Sequence, residues 1–97
     1  MAETTEKAID YSELETKLEE LTAMDFQECE RACRMSADPT PDIVYSGAFR
    51  ARLAAKALGV PYQTVRTADL KTYTAIIARV LAFLLQSLGA EALKQNT

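Results

Sequence analysis

"ADLKTYTAIIARVLAFLLQSL", residues 68–88, decides the fold class. Within it Leu70, Tyr73, Ile77, Val80, Leu81, Leu84 and Leu88 recur at the 3.6-residue period of an α-helix. At 100° per residue they cover about 100° of arc, the width of a face that packs on neighbouring helices. Thr67 is the expected N-cap and Gly89 the expected stop. Ile76 and Phe83 fall outside the arc, one heptad apart, and Leu85 lies beyond its other edge. This helix therefore carries more apolar surface than a small bundle requires. Either the N-terminal helices cover Ile76 and Phe83, or the two form an exposed strip for a partner. The run "IIARVLAFLL" (Ile76–Leu85) is interrupted by Arg79 and falls short of the ~20 residues that a bilayer demands, so no membrane association is expected.

Upstream lies "AAKALGVPYQTVR", residues 54–66, in which Ala55, Gly59 and Val65 stand at the spacing of a helix-turn-helix corner. Its first helix runs through "SGAFRARLAAKAL", capped by Ser46 and ended by Gly59 with Pro61 beyond. Phe49, Leu53, Ala57 and Leu58 face inward on this reading, and Arg50, Arg52 and Lys56 outward. "PYQTVR" has room for one short helical turn before Thr67 and offers a single basic residue, Arg66. A DNA-reading helix runs two to three turns and presents polar side chains to base edges. Any tight helical corner wants the same small residue, Gly and apolar seat. Nucleic-acid binding is therefore disfavoured, with a helix-turn-helix regulator kept as the alternative.

The N-terminal half reads as two further helices. Asp10 and Glu13 resemble a capping box that opens "YSELETKLEEL", with Tyr11, Leu14, Leu18 and Leu21 on one face and glutamates on the other. Thr22 and Asp25 mark a fresh start through "MDFQECERACRM", with Phe26, Cys29, Ala32 and Cys33 inward. "SADPTPD" (residues 36–42) cannot continue a helix and forms a loop. No segment alternates with period 2. The expected fold is all-α: a small bundle of about four helices with a long apolar C-terminal helix. One helical domain spans residues 10–89, between a flexible N-terminus (1–9) and a flexible tail (90–97).

Charge changes sign at that loop. Residues 1–42 hold 12 Asp/Glu against 4 Lys/Arg, and residues 43–97 hold 2 against 7, which together give the net −3. Either the acidic half packs near the basic half or neighbours in an oligomer do so; a positive surface for nucleic acid is the sharper alternative. The chain has no histidine, so the commonest general base is missing. Its three glycines are scattered, which excludes a phosphate-cradling loop. Cys29 and Cys33, four apart on one helical face, place their Cβ atoms roughly 5–6 Å apart, too far for a relaxed disulfide. Two cysteines without histidine do not make a zinc site, and both are read as small core residues. No catalytic residue, cofactor or metal is expected. With no leader of the secretory kind, the expected location is the cytoplasm.

From about Leu21 to Leu85 the sequence resembles the small tail assembly chaperones of long-tailed bacteriophages. The similarity lies in "LTAMDFQECERACR", "DPTPDIVYSGAFRARLAAKALGVP" and "TADLKTYTAIIARVLAFLL". The family's Ala-Ala-Lys-Ala-x-Gly-Val-Pro helix end is matched by Ala54–Pro61, and its apolar terminal helix by Asp69 and Phe83–Leu85. The first twenty residues are more acidic and more helical than those of such relatives. The resemblance implies an assembly factor of the host cytoplasm, absent from the finished virion. It would bind the tape measure protein, keep its apolar helices soluble and help recruit the major tail tube protein. A structural head–tail component is a further alternative. On the chaperone reading Ile76, Phe83 and Leu85 line a groove or a homo-oligomer surface, with Tyr45 and Phe49 nearby.

Overall fold

The computed structural model describes the backbone of residues 9–96 and the side chains of residues 9–86. It contains α1 (Leu14–Glu19), α2 (Ala23–Met35), a 3₁₀ turn (Ile43–Tyr45), α3 (Gly47–Leu58), α4 (Tyr62–Arg66) and α5 (Leu70–Asn96). No strand occurs among the described residues, and the fold is all-α, as the periodicity predicts. None of the described helices is long and apolar enough to cross a membrane.

Helix α3 is the hub. It packs on α1, α2, α4, α5 and the 3₁₀ turn. Its sequence allows this because Ala51, Ala54 and Ala55 are buried on sides where a larger residue would hold neighbours away, while Phe49 and Leu53 fill the space between helices. Leu14, Leu18, Cys29, Cys33, Ile43, Ile76 and Val80 complete the main core around Phe49 and Leu53. A smaller cluster of Ala51, Ala55 and Val65 seats α4. Both cysteines are free and buried, and burial raises the pKa of each thiol.

Side-chain caps set most boundaries. The Thr22 hydroxyl accepts from the Asp25 amide at 3.3 Å, and the Asp25 carboxylate accepts from the Thr22 amide at 2.8 Å, a reciprocal capping box for α2. Ser46 Oγ accepts from the Phe49 amide at 3.1 Å and caps α3. Gly59 ends α3 with φ +72°, the left-handed conformation in which glycine has no Cβ to clash. Helix α2 ends on Ala37, which takes the same left-handed conformation at φ 66° with a Cβ present. The Asp38 amide reaches back to the Cys33 carbonyl at 3.0 Å. Arg34 secures the turn: its Nη1 donates to the Asp38 and Thr40 carbonyls at 2.9 and 2.6 Å, and its Nη2 to that of Pro41 at 3.2 Å.

Several boundaries differ from the sequence reading. Asp10 does not form a capping box with Glu13; its carboxylate accepts from the amide and hydroxyl of Ser12, and α1 starts only at Leu14. Thr67 caps no helix start. It closes α4, its hydroxyl donating to the Gln63 carbonyl at 2.7 Å, and Asp69 instead caps α5 by accepting from the Thr72 amide at 3.1 Å. The helical backbone passes through Gly89 to Asn96, so the expected stop at Gly89 is not found. A lone Gly within a helix costs only about 1 kcal/mol relative to Ala. Residues 1–8 lie outside the described residues; Ile9 packs against the core.

The largest correction concerns which face of α5 is buried. Ile76 and Val80 are fully buried, Phe83, Leu84, Tyr73 and Ile77 pack against the core, and Leu70 is 75% exposed. The buried face is thus turned about 50° from the arc centred on the leucines, towards Ile76 and Phe83. Helix α1 causes the turn: it packs on α5 as well as on α3, and covers the flank that the leucines alone do not define. Arg50 is not an outward charge either. Its guanidinium is partly buried and donates to the Ile77 carbonyl at 3.1 Å, which ties α3 to α5.

Candidate functional site

An open apolar groove of about 420 Å³ lies where α1, α2, α3 and α5 meet. Leu18 and Leu21 form one wall, Ala23 and Phe26 another, Phe83 and Leu84 the third, and Leu53 the floor. Phe26 is held edge-on to the buried Phe49 ring, centroids 4.7 Å apart, so one side stays on the core while the other faces the groove. The groove exists because α1 stops after six residues and α2 restarts at Thr22. The capping box fixes this corner, and Leu21 stays only partly covered there.

Ion pairs clamp the surrounding helices. Lys56 Nζ on α3 lies 3.0 Å from Glu28 and 3.8 Å from Asp25 on α2. Glu28 beside it raises the lysine's pKa, while the Thr22 amide lowers that of Asp25. Arg79 on α5 grips Glu15 on α1 with two hydrogen bonds, one of 2.9 Å from Nε. That contact lowers the Glu15 pKa and raises that of Arg79. Two cations of the basic half, Lys56 and Arg79, thus pair with carboxylates of the acidic half. Glu19 and Glu20, exposed and beside Leu18 and Leu21 in the chain, form no ion pair among the described residues; Glu30, which lines the groove, lies 3.8 Å from Arg34.

The structure divides the five residues proposed from sequence. Phe83 lines the groove. Ile76 and Phe49 do not belong to any surface: each is 0% exposed in the core, because α1 and α2 close over them. Tyr45 and Leu85 are exposed, at 56% and 41%, but neither lines the groove. Leu18, Leu21, Ala23, Phe26 and Leu84 line it instead. In the sequence these apolar residues, Ala23 apart, read as core stripe. The usable signal was the Leu21–Thr22 junction, where an apolar residue directly precedes a cap.

Comparison with protein-family models, with curated proteins and with solved structures found no match. The site must therefore be judged on its own chemistry. The one hydroxyl in its lining, that of Thr22, is engaged with Asp25 in the α2 capping box, and no cluster of three metal-ligating side chains occurs among the described residues. What it offers is a mainly apolar recess, with Thr22, Gln27 and Glu30 as its polar lining. A dry cavity of about 150 Å³ takes one benzene-sized group, so this volume admits roughly two to three large apolar side chains. The helix-turn-helix corner is also in view. Helix α4 has five residues, and a separate cap at Asp69 divides it from α5. No recognition helix of two to three turns is formed there.

Proposed function

We propose that this protein is a non-enzymatic assembly chaperone that holds an amphipathic helix of a larger partner in the groove between α1, α2 and α5. The observation that carries this is the open apolar recess of Leu21, Phe26, Phe83 and Leu84, with the exposed Glu19 and Glu20 next to Leu21 in the chain. An occupant with apolar residues at i, i+3 or i+4 and i+7 would fill it, and lysines or arginines flanking that ridge would meet Glu19 and Glu20. The sequence resemblance gives the partner a name: the tape measure protein of a long-tailed phage, whose apolar helices would be kept soluble while major tail tube subunits assemble around them. Such work is done in the host cytoplasm, and the protein would leave before the virion is complete.

Co-expression with the long, helix-rich product encoded just downstream tests the proposal. Expected is a soluble complex that survives affinity capture and sizing, with the partner insoluble when made alone. A partner that is soluble by itself and is not captured would overturn it. Mass spectrometry of purified virions decides against the structural head–tail alternative if the chain is missing there.

A further inference from the structure

Three of the seven cations in the basic half serve internal contacts. Lys56 and Arg79 are paired with carboxylates, and Arg50 donates to backbone carbonyls. Arg52 and Arg66 differ. Neither forms an ion pair among the described residues, and the Nε of Arg52 is buried without a hydrogen-bond partner. Both guanidinium groups lie against one aromatic ring, that of Tyr62, with their central carbons 4.1 and 5.9 Å from its centroid. At 4.1 Å the Arg52 guanidinium is held against the ring before any ligand arrives, with the exposed Arg66 at the outer limit of such a contact. Arg52, Tyr62 and Arg66 together line a cavity of about 290 Å³, and Arg52 and Tyr62 also line a second of about 250 Å³. The first of these shares no lining residue with the apolar groove.

The charge count within the larger cavity selects the ligand. Two guanidinium groups face one carboxylate, Asp38, which is already occupied: it accepts from the Ser46 hydroxyl and from the Thr40 amide. The net of one positive charge matches a single carboxylate and falls short of a phosphate dianion. A guanidinium fork fits the two oxygens of a carboxylate side by side. Leaving a half-buried guanidinium without an anion is unfavourable, and a ligand would relieve that. We propose that Arg52, held on the Tyr62 ring, and Arg66 beside it form a carboxylate-binding site for an acidic segment of a protein partner.

The test uses the full-length, isotopically labelled chain and an amidated hexaglutamate peptide at low ionic strength. The side-chain Nε–H signal of Arg52 should shift on titration. Arg66→Gln, at an exposed position, and Arg52→Lys, which keeps the charge but loses the planar fork, should each weaken binding about tenfold, the worth of one charge-assisted hydrogen bond. An amide spectrum of each variant confirms that the fold persists. Failure of the peptide to bind the wild-type chain overturns the proposal, as does equal binding by both variants. Saturation by inorganic phosphate at the same concentration would show that the site reads charge alone and would overturn the carboxylate assignment. A short DNA duplex that binds through the same two arginines where hexaglutamate does not would overturn it in favour of nucleic acid.

Discussion

Replacing Ile76 by Ala, beside Leu70 by Ala, tests which face of α5 is buried. Ile76 is 0% exposed and belongs to the cluster that includes Leu14, Phe49 and Val80. Removing its outer carbons in so closed a site loses their transfer free energy and leaves a cavity, about 2–4 kcal/mol together. Leu70 is 75% exposed at the first turn of the same helix, so truncation there removes little burial and changes stability by less than ~0.5 kcal/mol. For a domain of this size one kcal/mol moves the Tm by roughly 4–8 °C, so Ile76→Ala should melt about 8–32 °C lower and Leu70→Ala almost unchanged. Urea titration followed by helical circular dichroism gives both free energies, with equal slopes showing that the unfolding reaction is the same. Equal losses at the two positions, or a larger loss at Leu70, would refute the placement of α5 and return the helix to the leucine-centred orientation.

Further consequences can be checked at single sites. Ala23→Glu puts a charge at the mouth of the groove while adding an acid to the first turn of α2, where the helix dipole favours it; partner capture should be lost in a pull-down with the Tm unchanged. Asp38 is held at about 2 by the Ser46 hydroxyl and the Thr40 contacts, so its contribution to stability is full above its ordinary value of 3.8 and disappears as pH falls towards about 2. A Tm–pH profile of Asp38→Asn should lack that acid-side component, and an identical profile would contradict the contact. Ala37→Gly removes the Cβ from a left-handed backbone and should stabilise the protein by up to about 1 kcal/mol, whereas Gly59→Ala should cost about 1–2 kcal/mol, both read from urea midpoints. Glu15 and Arg79 are both partly exposed, and a double-mutant cycle on the pair should return a coupling of only ~0.2–1 kcal/mol.

Much of the fold is legible in the sequence because local chemistry specifies it. The Thr22–Asp25 box, the Ser46 cap, the Gly59 turn and the proline-bearing loop each act within a few residues, and each is found where its residue types predict. Harder to read are features set by contacts far along the chain. Thr67 and Asp69 both have capping side chains two residues apart, and only the packing of α4 on α3 selects Asp69. A wheel drawn for α5 by itself gives the densest leucine arc, but the buried face follows from where α1 lands, about sixty residues away. The same gap hid the candidate site. Its walls come from four helices, so no single stretch displays it, and Ile76 and Phe83, neighbours on the wheel, part company: one is core, the other is groove wall.

Helix α3 touches every other helix through a surface made partly of alanines. Such a hub has little freedom to vary. Enlarging Ala51, Ala54 or Ala55 would push several neighbours apart at once, whereas the outer faces of α1 and α2 can change residue by residue without disturbing the centre. Relatives of this chain should therefore diverge in a lopsided way, keeping a thin, small-residue spine while the groove walls drift with whatever they hold. The architecture separates heritable shape from negotiable recognition, and the boundary between them runs along the sides of one twelve-residue helix.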